Sequence, residues 1–180
     1  MARRVIAFAA SSSRTSINKS LVIYASDLLP DAEVELLDLN DYELPLFSVD
    51  REAELGQPEL ARNFFNKISN CDGIIISFAE HNGNYSAAYK NWYDWMSRID
   101  SRVYQQKPMV VLATSPGKRG GLGVLEIALS QIPRFGGLVK ASLSLPGFYD
   151  YFDSDKREVR DPKIRSQLLT TVNKLFENNE

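Results

Sequence analysis

The chain has one cysteine, Cys71, and one histidine, His81, among 180 residues. A single thiol excludes an internal disulfide, and one thiol with one imidazole falls short of a structural zinc set. Charge of one sign is lacking as well. Lys and Arg number 21 against 23 Asp and Glu, a net charge of -2 without a run of five like charges, so nothing marks a surface for nucleic acid. No apolar run approaches the ~20 residues that cross a bilayer. The first, after Met-Ala-Arg-Arg, is about six residues long, too short for the core of a signal peptide. A cytoplasmic protein with no nucleic-acid or membrane partner is therefore expected. Also missing are a GxGxxG after the first apolar run and a GxxxxGK[ST] anywhere, the usual cradles for the phosphates of NAD(P) and ATP.

What is present is ordinary globular composition, 44% hydrophobic and 24% charged, enough for one domain over residues 1–180. Apolar runs alternate with helical stripes. Strands are expected at Val5 to Ala10, Val34 to Leu39, Gly73 to Ala79, Met109 to Thr114 and Leu138 to Leu145. VIAFAA, GIIISFA and MVVLAT are apolar at almost every position, as strands covered on both faces should be. Helical spacing links Leu21, Ala25, Leu28 and Leu29, ended by Pro30. It also links Leu60, Phe64 and Ile68, opened by Pro58 at a first-turn position, and then Ala88, Trp92, Trp95 and Ile99. Leu125, Leu129 and Ile132 mark a fourth helix, stopped or kinked by Pro133 or Gly136-Gly137, and Ile164, Leu168, Val172 and Leu175 a fifth. Five strands alternating with five helices predict an α/β fold, a three-layer, doubly wound, five-stranded parallel sheet. The flavodoxin-like order 2-1-3-4-5 puts the three most apolar strands in the middle. Asn40 to Gln57 is the one long irregular stretch of the first half.

Ligands of such sheets bind beyond the carboxyl ends of the strands where the winding reverses, here between strands 1 and 3. The loop after strand 1 reads Ser11-Ser12-Ser13-Arg14-Thr15-Ser16 and leads into Ile17 and Asn18. Hydroxyls ahead of a helix N-terminus suit a phosphate, although Ser16 or Asn18 as a simple helix cap explains part of the pattern equally well. With the dinucleotide and ATP cradles missing, a mononucleotide fits best, which points to FMN. After strand 3 come Glu80-His81-Asn82-Gly83-Asn84-Tyr85-Ser86, with an aromatic ring, amides and a glycine for a flat heterocycle. The plainer reading is an Asn-Gly turn followed by a Ser86 cap. After strand 4, Ser115-Pro116-Gly117-Lys118-Arg119-Gly120-Gly121 reads as a flexible cationic lip for backbone contact with a flavin and for NAD(P)H phosphates, or as solvated loop charge. Lys90, Asp94 and Arg98 share a helix face and are expected to pair. His81 has no evident partner, and no Ser/His/Asp set is visible, so no side chain is assigned a catalytic role.

These three loops together make the chain resemble the NAD(P)H-dependent FMN reductases of the flavodoxin-like superfamily, which include quinone and azo-dye reductases. The family's GSxRxxSxN loop aligns with Ala10 to Asn18. Its PEYN...LKNAIDWxSR segment aligns with Ala79-Glu80-His81-Asn82 and then Lys90-Asn91, Asp94-Trp95 and Ser97-Arg98, and its SxGxxGG loop with Ser115 to Gly121. The likeness implies that Ser11, Ser16, Ile17 and Asn18 hold the phosphate, that Glu80, His81, Asn82 and Gly83 meet the isoalloxazine, and that Ser115, Pro116 and Gly117 meet its other side or edge, with Gly120 and Gly121 completing that loop. The family arginine falls on Ser13, and Arg14, one place later, is expected to take over its contact with the anion. Ala10, Ala79, His81 and Ser86-Ala87 are further departures, standing for glycine, proline, tyrosine and Pro-Gly.

The resemblance implies hydride transfer from NAD(P)H to bound FMN and on to a small-molecule acceptor such as a quinone, an azo compound or free flavin, in a homodimer or homotetramer. Tyr89, Trp92, Tyr93 and Trp95, crowding more than one face of one helix, add an expectation that some of them meet a partner subunit. The rival is a flavodoxin-type electron carrier. Such carriers resemble TxTGxT after strand 1 and are strongly acidic, and this chain has neither feature. A flavin-free hydrolase on the same scaffold is a third, weaker reading.

Overall fold

The computed structural model describes residues 2–29 and 31–177. Pro30, expected to end the first helix, lies outside them. In chain order the elements are β1 (Arg3–Ala10), α1 (Ile17–Asp27), β2 (Ala32–Leu37), α2 (Val49–Leu55), α3 (Glu59–Ser69), β3 (Gly73–Phe78) and α4 (Ala87–Ile99). They continue with β4 (Pro108–Ser115), α5 (Leu122–Gln131), β5 (Leu138–Pro146), α6 (Phe148–Tyr151), β6 (Phe152–Asp153), β7 (Glu158–Val159) and α7 (Pro162–Asn173). Five strands form one sheet in the order β2-β1-β3-β4-β5, every neighbouring pair parallel, which is the predicted order.

The alternation of side chains divides the core. Ile6, Phe8, Ile74, Ile76, Phe78, Met109 and Val111 face a layer built from α3, α4 and α5, with Phe64, Trp92 and Trp95. Val5, Ala7, Ile75, Val110 and Leu112 face α1 and α7, with Leu21, Val22, Leu168 and Val172. Strands covered on both sides have no polar face to display, and β3 is accordingly buried at all its positions.

Several expectations shift in detail. β2 begins and ends two residues early, and Leu39 belongs to a 3-10 turn, Leu39–Tyr42, because Asp38 caps it through the Asn40 N–H. The stretch 40–57 contains α2, opened by Ser48 accepting from the Arg51 N–H and closed by Gly56 at φ 64. Pro58 is the cap of α3 rather than a residue of its first turn. Pro133 turns the end of α5 into a 3-10 helix, Ile132–Phe135, and Gly136, at φ 76, stops it. The hairpin β6–β7 was not anticipated, its two-residue strands being too short to leave an alternating pattern. Tyr89, Trp92, Tyr93 and Trp95 are all buried within the chain, so the aromatic crowding of α4 is accounted for by the core and is no sign of a partner subunit. Only half of the expected charged face forms, since Lys90 pairs with Asp94 while Arg98 turns to Glu52.

One polar group sits where the carboxyl ends of the central strands meet α1. Asn18, 2% exposed, accepts from Ser77 Oγ at 2.7 Å and from the Thr114 N–H at 3.1 Å, and donates from Nδ2 to the Thr114 carbonyl at 3.1 Å. Asn18→Ala would leave the Thr114 N–H and the Ser77 hydroxyl buried without partners. The expected cost is about 3 kcal/mol, read as a fall of about 6–12 °C in Tm, with far-UV circular dichroism unchanged before the transition.

Candidate functional site

At the carboxyl end of the sheet the loop after β1 is drawn into a small ring by two bonds: the Ser13 N–H donates to Ser11 Oγ at 3.2 Å and the Ser16 N–H to the Ser13 carbonyl at 3.2 Å. Ser16 caps α1, its Oγ accepting from the Lys19 N–H, so the helix-cap reading of this residue holds. The first turn of a helix has no acceptors for its own N–H groups. Among the described residues the backbone N–H groups of Arg14, Thr15, Ile17 and Asn18 donate to no acceptor in the chain. Ser11 and Ser16 are buried, Ser13 and Arg14 exposed, and Ile17 half-buried. A cluster of unspent donors at the positive end of a helix is the arrangement that holds an anion. The carboxamide of Asn18, spent largely on β3 and β4, keeps one free side-chain N–H.

The loop after β3 is a tight turn. His81 and Asn84 exchange backbone bonds of 2.9 and 3.1 Å around Asn82 at φ 53 and Gly83 at φ 74, the left-handed pair that closes two-residue hairpins. The turn reading of Asn82-Gly83 is therefore correct, and the tip projects into solvent, where a Cβ on Gly83 would meet nothing. Ser86 caps α4 through the Tyr89 N–H and donates to the Ala10 carbonyl at 2.8 Å, tying this loop's end to β1. Tyr85, beside the turn, packs on Phe78 and Tyr89, and burial pushes its phenol up to about 12, so it stays protonated at working pH.

The loop after β4 divides in two. Ser115 is half-buried and Pro116 to Arg119 are exposed. Gly120 and Gly121, with φ of 60 and 73, are buried beneath them. A Cβ on Gly120 would stand 2.6 Å from the Pro146 nitrogen, so this glycine serves close packing on the end of β5, and the lip narrows to Ser115–Arg119. Glu80 joins the two loops. Its carboxylate accepts from the Val124 N–H at 2.9 Å, in the first turn of α5, where a negative charge is favoured.

Beside the Ser11–Ser16 ring, on the β2 side, opens a cleft of about 460 Å3 that Ser12 shares with Tyr42, Leu44, Ala88 and Trp92. The indole N–H of Trp92 is buried without a partner. Asp38, at the end of β2, holds Lys19 of α1. Burial alone would raise the Asp38 carboxyl, and the bonds from Lys19 and the Asn40 N–H outweigh it, leaving the group below its usual range.

Residues 3–145 match the family of NADPH-dependent FMN reductases. The chain belongs to that family. It is 34% identical over 122 residues to an NADPH:quinone oxidoreductase of Arabidopsis thaliana, covering 66% of this chain and 61% of that protein. A 2-hydroxy-1,4-benzoquinone reductase of a Burkholderia species is likewise 34% identical over 122 residues, covering 67% and 64%. The chain thus spans just over three fifths of the length of these relatives. In three dimensions it is similar to the flavoenzyme NAD(P)H:(acceptor) oxidoreductase FerB of Paracoccus denitrificans, with TM-score 0.77 at 24% identity over 96% of this chain and 94% of that one. An NADH:FMN oxidoreductase in its apo form gives TM-score 0.73 at 18% identity over 99% and 91%. Both likenesses are of fold.

Sequence reasoning missed the residues that brace the site: Ser77, Thr114, Tyr151 and the Glu80 carboxylate in its capping role. A signal for two of them existed. Ser77 is the one hydroxyl in the run GIIISFA and Thr114 the one in MVVLAT, and a hydroxyl placed there must find a partner. Glu80→Ala should untie the loops after β3 and β4 at a cost of about 1–2 kcal/mol, and Glu80→Gln should recover most of it, both measured by urea unfolding.

Proposed function

We propose that this chain is an FMN-dependent oxidoreductase. It binds FMN with the phosphate in the Ser11–Asn18 loop and the ring between the turns after β3 and β4, and it passes hydride from NAD(P)H to a small-molecule acceptor of the quinone class. The observation that carries this reading is the group of four unspent backbone N–H donors, at Arg14, Thr15, Ile17 and Asn18, ringed by the Ser11 and Ser16 hydroxyls at the point where the sheet reverses its winding. Family membership and the quinone reductases among the relatives support it.

FMN, when bound, supplies the acceptance of hydride and its onward delivery. The chain's own residues bind and orient. Ser11, Ser16 and the free N–H groups would hold the phosphate, with the exposed Arg14 neutralising its charge in place of the arginine that Ser13 replaces. Asn82 and Gly83 at the tip of one turn, and Ser115, Pro116 and Gly117 in the other, would bound the ring, both turns kept in place by the Glu80 link beneath them. Lys118 and Arg119, exposed on the lip, would favour the approach of an anionic dinucleotide. Among the described residues no helix is long and apolar enough to cross a membrane, and no metal-binding group of acids, His and Cys occurs. We further infer a cytoplasmic location and a homo-oligomer, the latter on family likeness alone.

Purified protein mixed with FMN should quench its fluorescence with saturation. NADPH should then bleach the bound flavin's visible band, and a quinone should restore it. Ser16→Ala should weaken FMN about tenfold. No saturable binding would end this reading, and binding without bleaching would leave an electron carrier. Light scattering on the holoprotein should give at least twice the 20.3 kDa chain mass, and a monomer would remove the oligomer.

A further inference from the structure

A second cavity, of about 600 Å3, lies on the opposite flank of the Ser11–Ser16 loop, between α1 and the segment that follows β5. Its outer wall is aromatic. Phe148 and Phe152 stack with ring centroids 4.6 Å apart, and Tyr149 stands edge-on to Phe148 at 5.4 Å while remaining 61% exposed. Its charge is one-sided, Arg14, Lys19 and Arg157 against a single carboxylate, Asp27. Lys19 is engaged with Asp38. The guanidinium groups of Arg14 and Arg157 have neither hydrogen bond nor ion pair among the described residues.

Arg157 is also in an unusual conformation. It closes the β6–β7 turn at φ 55, a left-handed position at which glycine is at ease and a long side chain is disfavoured. The turn does not need its side chain, because Asp153 Oδ1 already accepts from the Asp155 and Lys156 N–H groups at 3.1 Å and Asp153 pairs with Arg160. A strained residue whose side chain does no internal work, lining a cavity, is the kind of outlier that points to a ligand. This wall follows residue 145, where the family match ends, so family membership assigns it nothing.

We propose that this cavity binds a planar aromatic group carrying an anionic substituent, the plane against Tyr149 and the anion on Arg157. Stacking uses the exposed ring, and the unpaired guanidinium of Arg157 supplies a fixed donor fork that pairs with a sulfonate, carboxylate or phosphate. Arg14, Thr15, Ser16 and Ile17 of the proposed phosphate loop form the near wall of this cavity, so an occupant held by Tyr149 and Arg157 on the far wall lies beside the flavin site. Two sources share this chemistry, the phosphorylated adenosine of a dinucleotide donor and an acidic quinone.

Isothermal titration with adenosine 2′,5′-bisphosphate and with anthraquinone-2-sulfonate, each in excess FMN, separates them. At least one probe should bind saturably, and the one that does names the source. Arg157→Gly and Tyr149→Ala should each weaken it about tenfold, and Arg157→Lys less than Arg157→Gly. Because the relief of a left-handed residue offsets the entropy that glycine adds to the unfolded chain, Arg157→Gly should melt at or above the parent, so that its loss of binding is not a loss of fold. FMN affinity, read by fluorescence quenching in the same samples, should not change. Failure of both probes to bind, or equal affinity in Arg157→Gly and the parent, overturns the proposal. A protein that binds a probe through Arg157 but no FMN overturns only the flavin reading.

Discussion

The carboxamide of Asn18 is the constraint on which the upper end of this molecule depends. It is buried at the first turn of α1, and its oxygen and one of its hydrogens are committed to Ser77 of β3 and the backbone of Thr114 on β4. Thr114 carries the linkage outward through its hydroxyl, which donates to the Leu145 carbonyl at 2.7 Å and lies 2.9 Å from the Tyr151 hydroxyl. One amide therefore registers the start of α1 against β3 and β4, and Thr114 extends the connection to β5 and α6. A buried network satisfied to this degree admits few alternative arrangements, because each shift would strand a polar group away from water.

The loops that rise from this base are braced low and left open high. Ser86 on the Ala10 carbonyl, Glu80 on the Val124 N–H and Gly120 against Pro146 hold the roots of the turns after β3 and β4. Their tips, Asn82-Gly83 and Pro116 to Arg119, are exposed. The same division separates polar groups with partners from those without. The Asn18 side-chain oxygen and the Glu80 carboxylate are spent on the fold, whereas the N–H groups of Arg14, Thr15, Ile17 and Asn18 and the guanidiniums of Arg14 and Arg157 are not. Unspent donors held on a rigid base are preorganised for an anion, since little further ordering is needed to bind one.

The five sheet strands were legible because VIAFAA, GIIISFA and MVVLAT are too apolar to lie anywhere but between two layers. The three loops were legible because hydroxyls, Asn-Gly and glycine-rich segments punctuate the ends of those strands. Shorter elements were not. Helix α2 has no buried residue to leave a stripe, and β6 and β7 are two residues each. The aromatic residues of α4 misled for a related reason: periodicity tells which side chains share a face, and Tyr89 and Tyr93, off the main stripe, are covered by Tyr104 and Phe135 from elsewhere in the chain.

By itself the amino-acid sequence determined the alternation of strands and helices, the order of the sheet, and the place where donors collect above β1. All of these follow from local pattern and from the chirality of parallel crossovers. Only the tertiary structure decided which polar groups in those loops are consumed by the fold, that Gly120 and Gly121 pack beneath the lip, and that Arg14 and Arg157 line one cavity. Those outcomes depend on contacts between residues far apart in the chain, and each hydrogen bond made there removes a donor or acceptor from the inventory that residue type alone would credit to a ligand.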